Sequence, residues 1–240
     1  MKETRRIRIE LAAAYRLAAR FGLNEGISNH FTARAGESFL VIPHGLHFSE
    51  VTASALLLVD PDGKVRKGKG EVESSAFFIH SSILKARADA HAVLHTHQPY
   101  ATALTLLENG RLLPASQNAL RFHGRVAYDD RYQGAADHRE EGARLASVVG
   151  AKDVLFLAHH GVVVVGSSVA KAFDDLYFLE RAAQVQVLAQ STGGRLRSIP
   201  DEVAEGYVRA DRPNNLRKQA KKHFEALLRI LDREEPDYRD

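Results

Sequence analysis

Apolar residues along this chain follow two spacings, which alternate from one segment to the next. Apolar positions three and four residues apart predict helices, whereas short apolar runs bounded by glycine, proline or acidic residues predict strands. The predicted helices are residues 5–21, 74–88, 100–108, 137–149, 167–190 and 211–232. The predicted strands are a short one that ends near residue 34, then residues 39–42, 56–60, 92–97, 154–157 and 161–165. This alternation predicts an α/β protein.

Local signals add detail to this outline. Pro61-Asp62-Gly63 predicts the turn of a hairpin, and Asp137 is predicted to cap the helix that follows it. Residues 110–138 contain glycines and a proline and are predicted to be irregular. No linker or repeat divides the sequence, which predicts a single domain over 1–240 with about 194–240 as a helical tail. The residues predicted to share one face of the helix 74–88 are Phe77, His80, Leu84 and Ala88, with Ile83 at the edge of that face.

Composition narrows the chemistry. The 240 residues carry a net charge of +3 and no cysteine, which excludes disulfides, thiol catalysis and cysteine-ligated metals. Any metal site must therefore use histidine and carboxylate ligands. The basic residues are not interleaved with aromatic ones, so we expect no nucleic-acid partner. No apolar run is long enough to span a bilayer, and the N-terminus has the pattern of a charged amphipathic helix, so we expect a cytoplasmic protein without a membrane partner.

Two histidine clusters follow predicted strands. His95 and His97 close one apolar run, and His159-His160-Gly161 follows another. Side chains at positions i and i+2 of a strand point to the same side, so His95 and His97 are expected to face one way. Three imidazoles from the two clusters are therefore candidates for one metal site. The alternative is that they are unrelated turn or core histidines.

An ordered set of motifs carries a family resemblance. The segments are Gly26-Ile-Ser-Asn-His-Phe-Thr-Ala-Arg34, Val41-Ile-Pro-His-Gly45, Ser74-Ser75, His80, His95-Thr-His97 and His159-His160-Gly161. With them the chain resembles the class II aldolase and adducin head-domain family, and its adducin-like bacterial branch in particular. The resemblance implies a three-layer α/β/α fold around a mostly antiparallel sheet and a ring-shaped homotetramer. It also implies a divalent metal on His95, His97 and His160, most often zinc, with manganese or iron as alternatives.

The chain departs from the aldolases of this family at the acid–base residue. Their glutamate is replaced by Ala76, and alanine cannot move a proton. Glu73, close to one helical turn upstream, is the candidate replacement, with His44 and His47 as further catalytic candidates. His30 stands where the aldolases hold a substrate phosphate with asparagine, so the anion pocket is altered. The expected substrate-binding residues are Asn29, His30, Gly45, Ser74 and Ser75, and His123 is a candidate for the same cavity.

These residues predict a metal-dependent carbon–carbon lyase, of aldolase or decarboxylase type, acting on a small oxygenated anion through a metal-stabilised enediolate. The absent glutamate favours decarboxylation, which needs no base to begin. Two alternatives remain open: a non-catalytic adducin-like assembly or binding module, and a metal-dependent epimerase or oxygenase. Residues that a neighbouring subunit could contribute to the site are Gln117, Asn118, Arg121 and Tyr207.

Overall fold

The computed structural model describes residues 2–134, 136–210 and 213–240, in which eight strands form one sheet. The strands are β1 (His30–Ala35), β2 (Ser38–Val41), β3 (Leu57–Val59), β4 (Val65–Lys67), β5 (Ala92–Thr96), β6 (Val126–Asp129), β7 (Val154–Leu157) and β8 (Gly161–Gly166). Their order is β4-β3-β2-β1-β5-β8-β7-β6, and all neighbours are antiparallel except β6 and β7. This confirms the predicted mostly antiparallel sheet.

Helices cover both faces of the sheet. They are α1 (Lys2–Arg20), α2 (Ser74–Ala86), α3 (Pro99–Thr105), α4 (Gln117–Leu120), α5 (Arg139–Val149), α6 (Val169–Ser191), α7 (Asp201–Ala210) and α8 (Pro213–Glu234). Helices α2 and α5 pack together on one face, whereas α1, α3 and α6 pack on the other. Side chains from both layers and from the sheet form one core. The predicted three-layer α/β/α arrangement is therefore confirmed.

The C-terminal helical segment packs onto this core. Phe224 and Leu231 of α8 are buried, and the Phe224 ring lies 5.8 Å from that of Phe173 on α6. Tyr238 is fully buried, and its carbonyl accepts the Ala53 N–H at 2.9 Å. The tail is therefore held by apolar packing and by backbone pairing with a distant loop. Within the described part of the chain, every helix is too short or too polar to cross a lipid bilayer.

Several local predictions were wrong. The segment predicted to be irregular, residues 110–138, contains α4 and β6. Strand β6 was missed because it pairs with β7, which is not its neighbour in the sequence. His138, not Asp137, is the N-cap of α5. Helix α7 lies in the predicted helical tail, but its bounds were not predicted. The predicted start of the last helix at residues 211–212 lies outside the described residues. The buried residues of α2 are Ala76, Ile79, His80, Ile83 and Leu84, so Phe77 and Ala88 are not on its buried face.

The central strands of the sheet bring the segments with the candidate site residues together. Strand β5 is buried along its whole length between β1 and β8. In the β1–β5 ladder His30 is directly opposite His95, and in the β5–β8 ladder Thr96 is opposite Val162. The start of β1, the end of β5 and the start of β8 therefore meet at one edge, which brings residues distant in sequence to a single place.

Candidate metal centre

Three imidazoles converge where β5 ends and β8 begins. His95 lies in β5, His97 directly follows it, and His160 precedes β8. One ring nitrogen from each of the three lies within 4.8 Å of the other two. The ring centroids are 4.7 to 4.9 Å apart. The predicted triad is thus assembled, with three imidazoles available on one side of a cation.

Hydrogen bonds fix which nitrogens can bind a cation. His95 Nδ1 lies 3.0 Å from the Val162 carbonyl, and His97 Nδ1 lies 2.6 Å from Glu25 Oε2. Both partners are acceptors, so both Nδ1 atoms carry hydrogen and donate. The two Nε2 atoms, 3.1 Å apart, then face each other with lone pairs. Two lone pairs at this separation need a shared proton or a cation between them, so the donor set fits a divalent metal.

The surroundings of His95 and His160 disfavour the protonated form of each imidazole. Burial, with the charges of the neighbouring histidines, holds the pKa of His95 well below its usual range. Burial and the adjacent His97 lower the pKa of His160 to about 4. Imidazoles that stay neutral at ordinary pH keep their lone pairs free, which is the state that a metal ligand needs.

Gly161 allows the two histidine segments to approach. A Cβ atom at this position would lie 2.5 Å from the Thr96 carbonyl oxygen and 2.9 Å from His97 Cδ2. Both distances are shorter than van der Waals contact. A side chain here would therefore push His97 away from His160, and the glycine in the His-His-Gly motif is a requirement of the triad's geometry.

Glu25 was not predicted from the sequence as a site residue, yet it contacts one of the metal-ligand candidates. Its carboxylate accepts the Nδ1 proton of His97, and this bond fixes both the tautomer and the ring orientation of a metal-ligand candidate. The side chain of Glu25 is 68% exposed, and it lies in a turn next to the Gly26–Arg34 motif. Its pattern in the sequence is that of an ordinary solvated turn residue, so only the folded structure connects it to His97.

Asn29 supplies a free donor beside the triad. Its side chain is 2% exposed, and its Oδ1 accepts the backbone N–H groups of Glu25 at 2.7 Å and His97 at 3.4 Å. The Nδ2 group is buried and has no hydrogen-bond partner among the described residues. A buried, unpaired N–H group costs free energy unless a ligand accepts its hydrogen bond.

Glu73 forms the N-cap of α2. Its Oε2 accepts the Ala76 N–H at 2.8 Å and the Ser75 hydroxyl at 2.5 Å, and it lies 3.8 Å from His30 Nε2. The His30 ring in turn lies 4.9 Å from the His95 ring. A single imidazole therefore separates the Glu73 carboxylate from the triad. Ala76 is 1% exposed and packs into the core.

The other predicted site residues have different surroundings. His44, Gly45 and Ser74 are exposed, and the His44 backbone N–H donates to the Glu71 carbonyl. His47 caps a short 3₁₀ helix, because its Nδ1 accepts the Ser49 N–H at 3.2 Å. These contacts give His44 and His47 no link to the triad in the described part of the chain.

The remaining candidates lie in other cavities. His123 lines a cavity of about 160 Å³ with Pro114 and Tyr128, and none of the three metal-ligand candidates lines it. Arg121 and Tyr207 line a separate open cavity of about 390 Å³. Gln117 and Asn118 lie on α4.

Comparison with known proteins gives a consistent family. The sequence model of the Class II Aldolase and Adducin N-terminal domain matches residues 9–187. The crystal structure of an aldolase II superfamily protein from Pseudomonas syringae is 39% identical and superposes with a TM-score of 0.92, covering 100% of this chain and 97% of the other.

Two further relatives represent the two branches of this family. L-fuculose 1-phosphate aldolase from Glaciozyma antarctica is 28% identical, with a TM-score of 0.87 over 99% of this chain and 93% of its own. Alpha-adducin of Rattus norvegicus is 37% identical over 94% of this chain, which corresponds to 33% of the adducin. The chain therefore belongs to the class II aldolase and adducin family.

Proposed function

We propose that this protein is a divalent-metal-dependent lyase that breaks a carbon–carbon bond in a small, oxygenated, anionic substrate. The observation that carries the proposal is the pair of opposed Nε2 lone pairs on His95 and His97, 3.1 Å apart and completed by His160. A divalent cation held there, zinc by preference, would act as a Lewis acid that stabilises negative charge developing on substrate oxygens. The similarity to a fuculose-phosphate aldolase supports the same chemistry.

Binding of the substrate is assigned to the turn beside the triad. The unpaired Nδ2 donor of Asn29 is suited to an anionic oxygen, and the exposed Ser74 hydroxyl and Gly45 backbone add polar groups. His30 Nε2 lies 3.2 Å from Ser75 Oγ, so these two residues hydrogen-bond to each other and support the substrate-binding residues rather than contacting the substrate. Because His30 replaces the asparagine that holds phosphate in the aldolases and its Nε2 is engaged by Ser75, we expect a carboxylate-bearing substrate in preference to a phosphate ester.

Glu73 is assigned the acid–base role that Ala76 cannot perform. Its Oε2 is held by Ser75 and the Ala76 N–H, while its Oε1 has no hydrogen-bond partner among the described residues. A carboxylate fixed on one side and open on the other is suited to accepting or returning a proton. His44 and His47 are kept as secondary candidates for the proton donor in a decarboxylation because each carries an imidazole, although their contacts do not connect them to the triad.

A non-catalytic, adducin-like role is the alternative, and the 37% identity to alpha-adducin supports it. The intact histidine triad and its orienting Glu25 favour the enzyme, because an assembly module has no use for opposed lone pairs in its interior. The homotetramer implied by the family resemblance and the cytoplasmic location expected from the sequence pattern stay predictions.

The test is a turnover assay of the zinc-loaded protein. L-Fuculose 1-phosphate and a set of small hydroxy-acids and keto-acids would be supplied, with aldehyde and carbon dioxide release as readouts. We expect cleavage of an acid substrate, reduced by roughly 100-fold or more in Glu73→Gln. Glu71→Gln, an exposed glutamate two residues upstream, is the matched control and should retain activity. A zinc-loaded protein that cleaves none of these compounds would support the adducin-like role.

A further inference from the structure

A continuous chain of hydrogen bonds leads from the middle of the sheet to Glu73. Thr32 Oγ1 lies 2.8 Å from His80 Nδ1, and His80 Nε2 lies 2.9 Å from His30 Nδ1. His30 Nε2 lies 3.2 Å from Ser75 Oγ, whose hydroxyl donates to Glu73 Oε2. Thr32 and His80 are fully buried, and His30 is 4% exposed. The chain is therefore shielded from solvent until it reaches the half-buried Ser75.

The carboxylate end decides the direction of the protons in this chain. An ionised Glu73 can only accept, so Ser75 donates to it and in turn accepts from His30. The hydrogen of neutral His30 is then on Nε2, and its Nδ1 accepts from His80 Nε2. His80 Nδ1 is left to accept the hydroxyl proton of Thr32. Every group consequently donates towards Glu73.

The geometry favours the neutral form of both imidazoles. His30 Nδ1 and His80 Nε2 face each other at 2.9 Å, so only one of these two nitrogens carries hydrogen. Both rings are buried, and Glu73 Oε2 at 3.8 Å from His30 Nε2 lies beyond hydrogen-bond distance, so a charge on either ring would lack a bonded opposite charge. Neutral rings have one donor and one acceptor each, so a chain of this kind can point only one way at a time.

We propose that Thr32, His80 and His30 are positioning residues, which form an oriented hydrogen-bond chain that holds the Glu73 carboxylate by Oε2 and leaves Oε1 free towards the substrate. This inference rests on the proposed function, because it assigns what supports the proposed acid–base group. It also explains why two histidines are fully enclosed beside the triad without being metal-ligand candidates themselves.

The reversed orientation is available but less favourable. Thr32 Oγ1 also lies 3.4 Å from the Val93 carbonyl, which would accept its proton if the chain pointed the other way. Reversal would turn the Ser75 hydroxyl towards His30 and remove its bond to the Glu73 carboxylate. Loss of a hydrogen bond to a charged group disfavours that state by roughly tenfold or more. Ser75 is thus the residue that transmits the direction set by Glu73.

The experiment measures ring tautomers in the full-length, zinc-loaded protein. Protein labelled with ¹⁵N in its histidine rings would be examined by long-range ¹H–¹⁵N NMR, which distinguishes a ring N–H from a bare nitrogen. We expect hydrogen on Nε2 and none on Nδ1 for both His30 and His80. In Ser75→Ala the connection to Glu73 is lost, and the ratio of Nδ1–H to Nε2–H forms should rise by roughly tenfold or more.

Two further variants make the result specific. Ser74→Ala changes an exposed serine in the same helical turn and should leave both tautomers as in the wild type. Thr32→Val removes the far end of the chain but keeps Ser75 and Glu73, so the Nε2–H forms should persist. Nδ1–H forms in the wild type, or tautomers that respond to Thr32→Val but not to Ser75→Ala, would overturn the proposal.

The tautomer measurement needs no substrate, so the two proposals can fail separately. Wild-type protein with the expected tautomers and no carbon–carbon cleavage would refute the proposed function and leave the oriented chain in place. Protein that cleaves its substrate while His30 and His80 carry hydrogen on Nδ1 would refute the chain and leave the lyase.

Discussion

The histidine cluster at the end of β5 and the ion-pair cluster on α6 are both buried, but their polar groups are satisfied in opposite ways. In the α6 cluster Asp175 accepts from Arg125 at 2.6 Å and from Lys171, while Asp174 accepts from His223 Nδ1 at 2.8 Å. Burial alone would raise the pKa of Asp175, but the charges of Arg125 and Lys171 outweigh it and lower that pKa. Each buried charge there has an opposite charge within the chain.

The histidine cluster has no such internal balance. His95 and His97 turn bare nitrogens towards each other, and the buried Asn29 donor lacks a partner among the described residues. The α6 cluster therefore balances its charges within the chain, although Asp175 Oδ1 has no hydrogen-bond partner among the described residues, whereas the β5 cluster has a donor set that fits a cation from outside the chain.

The largest stability effect is expected in the ion-pair cluster. Asp175→Ala leaves Lys171 and Arg125 without their buried partner, which should lower the free energy of unfolding by about 3–5 kcal/mol. Urea unfolding of the variant and the wild type measures the difference. Zinc binding by the folded variant should be unchanged. A loss below about 1 kcal/mol would show that the α6 cluster is not the structural element described above.

A pH dependence is expected from the buried imidazoles of the metal-free protein. The pKa values of His30 and His80 are depressed in the folded state, so below about pH 6.5 the unfolded chain takes up protons that the folded chain refuses. The stability is fully present above that pH and falls as the pH drops, by up to about 1.4 kcal/mol per pH unit for each imidazole.

Urea unfolding of chelator-treated protein between pH 7 and 5 measures this slope. His80→Gln should make it shallower, whereas His138→Gln, at a half-exposed position, should not. Equal slopes in the wild type and His80→Gln would contradict the assignment of a neutral, buried His80.

A smaller effect is expected from two glycine substitutions, which distinguish a change in the geometry of the triad from a general loss of stability. Gly161→Ala places a Cβ against Thr96 and His97, and it should lower stability by about 1–3 kcal/mol and weaken zinc binding. Gly166→Ala at the other end of β8 places a Cβ 2.7 Å from the Ala172 nitrogen and should cost similar stability without affecting zinc. Calorimetric zinc titration of both variants provides the comparison; equal weakening of zinc binding in the two would refute a local role for Gly161.

Much of the sheet was predictable because short apolar runs such as Val154–Leu157 indicate buried strands. Strand β6 was not, because its residues are only half-buried except for Asp129, and its pairing with β7 is a contact between distant segments. The α2 face was misjudged because helix periodicity alone does not say which stripe meets the sheet. Periodicity alone therefore does not distinguish the half-buried Phe77 from the buried Ile79 and Ile83.

The same division holds for the candidate site. The triad was predictable from strand-end spacing and the family motifs, because these encode positions in a common sheet. The contacts of Glu25 and Thr32 were not, since only the folded chain brings an exposed turn carboxylate to His97 and a strand threonine to His80. The proposed direction of the hydrogen-bond chain depends on the acceptor at Glu73, and it likewise could not be predicted from the sequence.

Elemental analysis of the purified protein tests the central claim most directly. After saturation with zinc and removal of the excess, we expect one zinc per chain in the wild type and in His123→Ala, and none in His95→Ala. Wild-type protein that retains no zinc, or His95→Ala that retains as much as the wild type, would contradict a metal centre built by His95, His97 and His160.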